Sequence, residues 1–366
     1  MGVESDWNNL GKRLISCYAK SVLEAAENLG KKRFPQLKDQ RDAQFASTIT
    51  SLVHKNDIYK NEAFTEKALN AIDLGKIFAR VEEREASSDS ELWGYEDFLV
   101  QETLFLFKNE FFKWIDKPKC SKCDRNGDNI EFIGAVGPPL VNPDEIGRIE
   151  KYKCKDCDQP VEFPRINNPA KLLDTRCGRC GEWVNCFMLV LQSVLGLDAQ
   201  LRYIWNREDH VWCEYYSRKQ NRWIHLDPCE NVFDEPSLYC ENWGKEMSYI
   251  IGIGNNYVID LSDKYITKEE KRIPKSDVVS SEAVIEKLIK SINARLMLAF
   301  WHNDIKPHHS EDKHEKLYEE LILVHNKELL SLKTCHTVKE PSQARVPRGR
   351  QSGSAEWTSA RGEDGA

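Results

Sequence analysis

The sequence predicts an α+β fold in which a central helix packs on an antiparallel sheet, with a metal-binding subdomain and flanking helices around this core. Three observations carry the prediction. A strongly apolar helical segment covers 183–195, two alternating segments typical of a β-hairpin follow it, and two Cys-x-x-Cys pairs precede it. Helices and antiparallel strands that occupy separate stretches of a chain are typical of α+β proteins.

Length and composition bound the class of protein. The chain has 366 residues, 40% of them apolar and 30% charged, so it can bury a substantial core. No segment has the composition of a membrane span or a secretory h-region, so membrane insertion is not expected. The net charge of −7 and the pI of about 5.8 give no reason to expect a nucleic-acid partner. Twelve cysteines in a chain of this length indicate metal ligation and catalysis in a reducing compartment.

The first predicted region, residues 1–95, is helical. It opens with apolar residues at the spacing of an amphipathic helix, namely Trp7, Leu10, Leu14, Tyr18, Val22, Ala26 and Leu29. This apolar face either packs on the protein's own core or docks a partner, and the sequence leaves both open. A second, strongly apolar helix around 98–114 has the composition of a core element and belongs to the next region, residues 96–170.

Two cysteine pairs in this second region predict a metal site. Cys120 pairs with Cys123 and Cys154 with Cys157, and thirty residues separate the two pairs. Each pair can present two thiolates from one turn, so together they form a closed four-sulfur site of the kind that holds one structural zinc ion. Two redox pairs or free thiols are the alternatives. Because a closed site leaves no position for a reacting water, the ion is expected to stabilise the fold.

The predicted catalytic core, residues 171–270, begins with a cysteine at the start of the central helix, which ends at Gly196. Cys180 lies in the first turn, where unpaired backbone N–H groups and the positive end of the helix dipole favour a thiolate. Cys177 precedes the helix and remains an alternative nucleophile. Cys186 lies in the helix body and is expected to be an inert core thiol.

A β-hairpin is predicted to carry the base and the group that orients it. The segments 210–216 and 222–227 alternate and are rich in β-branched or aromatic residues, with a polar tip between them. A turn centred between Arg218 and Lys219 sets His210 opposite Asp227, with Cβ atoms about 5 Å apart, so that the carboxylate can fix one imidazole tautomer. A slip of one residue would put the two side chains on opposite faces.

His225 is the rival base on the same hairpin. In the predicted register it lies opposite Trp212, where no carboxylate orients its ring. We therefore favour Cys180 as thiol nucleophile, His210 as base and Asp227 as orienting group.

The remaining predicted elements follow this hairpin. Two further strands, 249–253 and 257–261, are joined through Gly254, Asn255 and Asn256, a sound turn signal. The predicted C-terminal region, 271–337, contains amphipathic helices at about 280–300 and 311–332. Residues 338–366 are rich in Pro, Ser, Gly, Arg and Glu, so we expect a largely disordered tail.

Several motifs of the chain together carry a family resemblance. They are Cys180-Gly181-Glu182-Trp183, the strand Asp209-His210-Val211-Trp212, Asp227 seventeen residues after His210, and, near the end, Gly349-Arg350-Gln351-Ser352-Gly353-Ser354 with Trp357 and Arg361-Gly362-Glu363. They resemble the cytoplasmic peptide:N-glycanases of the transglutaminase-like superfamily. The segment Trp205-Asn206-Arg207-Glu208-Asp209-His210-Val211-Trp212-Cys213-Glu214-Tyr215 resembles the short fungal form in particular. The interval from Cys180 to His210 is thirty residues. This is about three longer than the family pattern, and such an insertion is tolerated where it is looped out at the surface.

The resemblance implies a transglutaminase-like (papain-like) core and a deglycosylating amidase. Such an enzyme cleaves N-glycans from the asparagines of denatured or misfolded glycoproteins, converting Asn to Asp, in support of proteasomal degradation of proteins from the endoplasmic reticulum. The implied location is the cytoplasm and also the nucleus. Trp212, Glu230 and Trp243, with His210, are implied to hold the first two sugars, since indole faces stack on sugar C–H groups and carboxylates accept sugar hydroxyl protons. A proteasome shuttle protein with ubiquitin-like and ubiquitin-associated domains is an implied partner of the N-terminal helix.

Other functions remain open on the residues alone. The triad would equally serve a peptide bond or a glutamine side chain, so a protease or transglutaminase is an alternative. An oxidoreductase built on Cys177 and Cys180 would need a short βα context that this sequence lacks. The non-enzymatic alternative is a catalytically weak or inactive zinc-stabilised adaptor that binds glycoproteins and proteasome shuttle factors.

Overall fold

Helices and mostly antiparallel strands make up the computed structural model, which describes residues 2–32, 34, 36–87, 92–305, 307, 310–334 and 349–365. The helices are α1 (Gly2–Gly30), α2 (Gln40–Lys55), α3 (Glu62–Ala71), α4 (Leu74–Ser87), α5 (Tyr95–Leu106), α6 (Pro169–Thr175), α7 (Cys180–Leu195), α8 (Ser262–Tyr265), α9 (Glu282–Phe300), α10 (Glu311–Thr334) and α11 (Ala355–Ser359). The strands are β1 (Lys113–Trp114), β2 (Ile130–Val136), β3 (Ile146–Cys154), β4 (Pro160–Ile166), β5 (Cys177–Gly178), β6 (Leu201–Asn206), β7 (His210–Ser217), β8 (Arg222–Asp227), β9 (Val232–Phe233), β10 (Ile250–Gly254) and β11 (Val258–Asp260). This mixture confirms the predicted α+β class.

The chain divides into two compact units. One comprises Met1–Asn56 with Met247–Arg345, and the other comprises Asp57–Glu246 with Val346–Ala366. The second unit contains every cysteine, histidine and aspartate that the sequence analysis selected for chemistry. The division into five regions made from the sequence remains a prediction.

The centre of the second unit is α7. Its residues from 186 to 191 are all buried, and it packs against α3, α5 and α6 and against β6 and β7. A helix that is apolar around most of its circumference is stable only when it is enclosed in this way. The predicted central helix on a sheet is therefore confirmed.

The sheet beside α7 is antiparallel, with β6, β7, β8 and β9 in sequence order. β7 is buried at seven of its eight positions, and it packs against α7. The loop between α7 and β6 is exposed at residues 196–198. An insertion there is tolerated, because a surface loop can change length without disturbing the core.

A separate three-stranded antiparallel sheet, in the order β2, β3, β4, carries the cysteine pairs. Much of the segment between the two pairs belongs to β2 and β3, which pair from Ile130 with Cys154 to Val136 with Ile149. The small apolar core beside this sheet contains Ile130, Tyr152, Val161 and Phe163, together with the buried Cys120 and Cys154.

The first unit is mainly helical, and it also contains the predicted hairpin β10–β11. Helix α1 packs on α9 and α10, with Ala19 buried against Met297, Tyr318 and Ile322. Within the described residues, no helix is long and apolar enough to cross a membrane.

Phe107 and Phe105 test the importance of the core around α7. Phe107 is fully buried, with ring centroids 5.2 Å from Phe187 and 5.7 Å from Trp183. Phe105 is 38% exposed. We expect Phe107→Ala to lower the free energy of unfolding by about 3–5 kcal/mol, because it leaves a cavity. Phe105→Ala is the matched control and should cost about 1 kcal/mol or less. Urea unfolding measures both, and equal losses would contradict this description of the core.

Candidate functional site

Cys180 is the first residue of α7, in the first turn as the sequence predicts. Arg179 is the N-cap residue, and its backbone N–H donates to Glu182 Oε2 over 3.0 Å. A Cβ atom added to Gly178 would come within 2.4 Å of Glu182 Cβ. A larger residue at 178 would therefore displace the turn that presents the Cys180 thiol.

The three cysteines near this turn differ in burial. Cys180 and Cys177 are half-buried, and Cys186 is fully buried. Burial raises the pKa of all three thiols. In the case of Cys180, Arg350 is the charged group that opposes the rise in pKa most strongly. The sequence analysis expected the helix dipole to favour a thiolate. Burial acts in the opposite direction and raises the pKa of the thiol, so this thiol needs a base to remove its proton.

A buried hydrogen bond joins His210 and Asp227. His210 Nε2 lies 2.9 Å from Asp227 Oδ2, and both side chains are inaccessible to solvent. Asp227 Oδ1 accepts from the backbone N–H groups of Cys229 (2.9 Å) and Glu230 (3.3 Å), while Oδ2 also accepts from Tyr239 Oη (3.0 Å). Among the described residues, His210 Nδ1 has no hydrogen-bond partner. The carboxylate thus fixes the tautomer that leaves Nδ1 as the basic nitrogen.

The hairpin register differs from the predicted one by two residues. Strands β7 and β8 pair Cys213 with Leu226, because the turn is centred one residue later than the sequence analysis assumed. His210 is therefore not directly opposite Asp227, and that prediction was wrong. Since side chains alternate with a period of two, a two-residue shift leaves both on the same face as diagonal neighbours, still within reach.

His225, the rival base, is engaged at both ring nitrogens. Its Nε2 lies 2.7 Å from Tyr239 Oη, and its Nδ1 accepts from the Glu235 N–H over 3.3 Å. It lies opposite Glu214, not opposite Trp212 as predicted. With both nitrogens in hydrogen bonds, His225 has none left to take a proton from a thiol.

Three aromatic rings surround His210. Its ring centroid lies 5.8 Å from Trp212, 5.2 Å from Tyr239 and 5.0 Å from Trp243, and all three are fully buried. Burial lowers the pKa of His210 well below its usual value, so the imidazole is neutral and can accept a proton. Both indoles pack on the imidazole in this structure, and their contact with sugar remains a prediction.

Glu230, the third residue expected to hold sugar, is bound by the C-terminal segment (349–365). Its two carboxylate oxygens accept from the backbone N–H groups of Gln351 (2.8 Å) and Ser352 (3.0 Å). This ordered course differs from the expected disorder of 338–366. Residues 335–348 lie outside the described part of the chain.

Paired charges and an indole explain the order of the C-terminal segment. Glu363 contacts three cations, Arg350 (2.8 Å), Lys245 (2.5 Å) and Arg361 (3.0 Å). The guanidinium carbons of Arg350 and Arg361 each lie 4.6 Å from the ring centroid of Trp357. Composition predicted disorder because the segment is polar, but most of these polar groups have partners within the fold.

Two residues of the site were not predicted. Tyr239 comes from a short π-helical turn, Leu238–Asn242, and no local pattern marks it. Arg350 lies in the C-terminal motif that carries part of the resemblance, and this motif is the one signal that could have identified it.

The four predicted cysteines, Cys120, Cys123, Cys154 and Cys157, come together with their sulfur atoms within 4.8 Å of one another. Their two turns are alike, since Asp124 N donates to the Cys120 carbonyl and Asp158 N to the Cys154 carbonyl. Metal–sulfur bonds of about 2.3 Å in a tetrahedron would place the sulfurs about 3.8 Å apart. The thiols fit a metal ion.

Two family models and several curated proteins match this chain. The model of the transglutaminase-like superfamily matches residues 133–228, and that of the Rad4 transglutaminase-like domain matches 204–321. The Debaryomyces hansenii protein named peptide-N(4)-(N-acetyl-beta-glucosaminyl)asparagine amidase is 45% identical over 371 residues, covering 100% of this chain and 98% of the relative. The Candida albicans protein of the same name is 44% identical over 388 residues, covering 98% and 96%.

Among solved structures, Rad4–Rad23 bound to a 6-4 photoproduct UV lesion aligns with 84% of this chain and 62% of that chain. The sequence identity is 11% and the TM-score is 0.44. A likeness this distant supports no conclusion about function.

Glu363 predicts a specific dependence of stability on pH. Burial raises the pKa of this carboxyl, but Arg361, Arg350 and Lys245 outweigh burial and hold it at about 2. Because the folded pKa lies below the unfolded value, the contribution to stability is complete above about pH 4.3 and is lost as the pH falls toward 2. Glu363→Gln should therefore be less stable at pH 7 and lose less stability on acidification. Urea unfolding at pH 7 and at about pH 3 measures the stability of both proteins. Equal losses of stability in Glu363→Gln and in the unmodified protein would contradict the prediction.

The cysteine cluster predicts that each chain binds one metal ion. Cys157→Ser should lower the metal content of the purified protein and its melting temperature, because three sulfurs hold a tetrahedral ion less tightly than four. Cys17→Ser is the matched control, since Cys17 is an exposed free thiol outside the cluster. Elemental analysis and thermal unfolding measure both variants. Unchanged metal content in Cys157→Ser would exclude the cluster as the binding site.

Proposed function

Because the chain belongs to the peptide-N(4)-(N-acetyl-beta-glucosaminyl)asparagine amidase family, we propose that it hydrolyses the amide bond between an asparagine side chain and the proximal N-acetylglucosamine of an N-glycan. The observation that carries the proposal is the His210–Asp227 hydrogen bond, 2.9 Å long, which leaves Nδ1 unpaired among the described residues. An acyl-transfer enzyme with a thiol nucleophile requires such a base.

Acylation of Cys180 is the first step. His210 Nδ1 takes the thiol proton, and the sulfur attacks the side-chain carbonyl carbon of the glycosylated asparagine. Asp227 accepts the Nε2 hydrogen bond throughout and stabilises the imidazolium that forms. The backbone N–H of Cys180, at the N-terminus of α7, is a candidate donor to the oxyanion.

Departure of the glycosylamine completes acylation, and deacylation then closes the cycle. The imidazolium of His210 returns its proton to the departing glycosylamine as the C–N bond breaks, which leaves a thioester on Cys180. Water then gives up a proton to the imidazole and attacks the thioester carbonyl carbon. The carbon–sulfur bond breaks, Cys180 takes back a proton from the imidazolium of His210, and the peptide leaves with aspartate in place of asparagine. The released glycosylamine loses ammonia in solution.

Substrate recognition is proposed for the residues around His210. Trp212 and Trp243 would stack on the first two sugars, and Glu230 would accept hydroxyl protons. The proposed substrates are denatured or misfolded N-glycosylated proteins, and the proposed wider role is to prepare proteins from the endoplasmic reticulum for the proteasome. The eleven cysteines that the structure describes are all free. This supports a reducing compartment, for which we propose the cytoplasm and also the nucleus.

The metal and the protein partner are proposed on separate grounds. Four thiolates in a closed cluster favour Zn2+, which would hold the two cysteine turns together and supply no reaction step.

For the protein partner, three apolar residues of α1 are exposed: Leu10 by 45%, Leu14 by 61% and Tyr18 by 50%. This apolar face supports docking of a proteasome shuttle protein with ubiquitin-like and ubiquitin-associated domains.

A denatured high-mannose glycoprotein tests the activity and the nucleophile together. The protein should release intact glycan and leave aspartate at the acceptor site, as detected by peptide mass. Cys180→Ala should lower the rate by more than about 1,000-fold, because the nucleophile is lost. Cys177→Ala, the matched control three residues away, should keep most of the rate.

Either of two results would overturn the assignment. Retained turnover in Cys180→Ala would exclude this cysteine as nucleophile. Binding of glycan without release by the unmodified protein would favour the adaptor.

A further inference from the structure

Arg350 is a buried cation held between three indole rings. Its side chain is inaccessible to solvent, and its guanidinium carbon lies 5.2, 5.0 and 4.6 Å from the ring centroids of Trp114, Trp243 and Trp357. Stacking of this kind is attractive, and more so when water is excluded. The three rings fix the position of the guanidinium.

The hydrogen bonds of Arg350 are incomplete. Nη1 donates to Glu363 Oε2 over 2.8 Å, and Nε donates to Ser352 Oγ over 3.0 Å. Nη2 is buried and has no hydrogen-bond partner among the described residues. A buried charged donor without an acceptor costs free energy, and this unpaired Nη2 could donate to an anionic group.

Two sets of contacts connect the guanidinium of Arg350 with the proposed triad. Trp243 packs against it and also lies 5.0 Å from the ring centroid of His210. The adjacent Gln351 N–H donates to Glu230, whose own backbone N–H donates to Asp227. The guanidinium therefore lies beside the His210–Asp227 pair without bonding to either.

Trp114 connects the guanidinium of Arg350 with the turn that carries Cys180. This residue stacks on the guanidinium and pairs in β1 with Gly178 of β5, two residues before Cys180. It also packs in the same apolar cluster as Cys180.

The electrostatic effect of Arg350 has the sign that a thiol nucleophile needs. Burial raises the pKa of Cys180, and Arg350 is the charged group that most opposes this rise. Burial also lowers the pKa of His210, and Arg350 adds to that effect more than any other charge. Arg350 thus favours the thiolate of Cys180, while its effect on His210 disfavours the imidazolium.

We propose that Arg350 is a positioning residue for the nucleophile, delivered by the C-terminal segment, and that its guanidinium stabilises the thiolate of Cys180. This rests on the proposed function for the role of Cys180. The C-terminal segment is then part of the active site.

Alkylation of Cys180 by iodoacetamide tests the inference without any glycan. The thiolate is the reacting form, so the pH dependence of the rate, with the modified peptide identified by mass, reports the ionisation of Cys180. Arg350→Gln should move the half-maximum to higher pH by about one unit, which is about a tenfold slower rate at pH 7. Arg350→Lys keeps the charge and should stay within about 0.3 unit of the unmodified protein.

Ser354→Ala is the control for a purely structural role. Ser354 caps α11 by accepting from the Trp357 N–H over 3.3 Å, so this variant weakens the segment while Arg350 keeps its charge. Its alkylation profile should match that of the unmodified protein even if its melting temperature falls.

Three outcomes would overturn the inference. They are an unshifted profile in Arg350→Gln, a shift of a full unit in Arg350→Lys, and an equal shift in Ser354→Ala. If Arg350→Gln gives no cooperative melting, Arg350→Met takes its place as the uncharged variant, with the same expected shift. If the unmodified protein releases no glycan while the alkylation profiles of the variants shift as predicted, the result counts against the proposed function and leaves this inference standing.

Discussion

The buried hydrogen bond between His210 Nε2 and Asp227 Oδ2 is the interaction on which the rest of the site depends. An isolated carboxylate without access to solvent would be strongly destabilising. Backbone N–H groups of Cys229 and Glu230 and the Tyr239 hydroxyl offset this cost, because all three donate to Asp227. The oriented carboxylate then holds the imidazole of His210 in one tautomer, which leaves Nδ1 free of partners among the described residues. Without this arrangement, a thiol whose pKa is raised by burial would have no base.

The C-terminal segment places a second buried charge system beside the first. Glu363 contacts three cations, and one of them, Arg361, also contacts the exposed carboxylate of Asp209. Buried charge networks contribute little net stability, but the removal of one member leaves the others unpaired. Their arrangement therefore specifies one position for Arg350. A polar segment gains a defined structure in this way because its charges, and not an apolar face, determine where it binds.

Sequence reasoning succeeded where a local pattern determines the structure. The apolar periodicity of 183–195 and its glycine stop predicted α7, and the spacing of the cysteine pairs predicted their cluster. The hairpin was found, but its register was wrong by two residues because the centre of a turn depends on turn geometry. The order of the C-terminal segment and the part played by Tyr239 could not be predicted. Both depend on contacts between residues more than ten positions apart in sequence, and composition carries no information about such contacts.

The protonation state of His210 tests the central claim most directly. Nitrogen NMR of protein labelled at histidine distinguishes the two ring nitrogens, and a His210→Gln sample assigns the signals. Our account predicts a proton on Nε2 at every pH at which the protein is folded, with Nδ1 as the nitrogen that gains a proton on acidification. A resting imidazole that carries its proton on Nδ1 and leaves Nε2 bare would contradict it, since Asp227 would then hold no proton donor and the thiol would face no base.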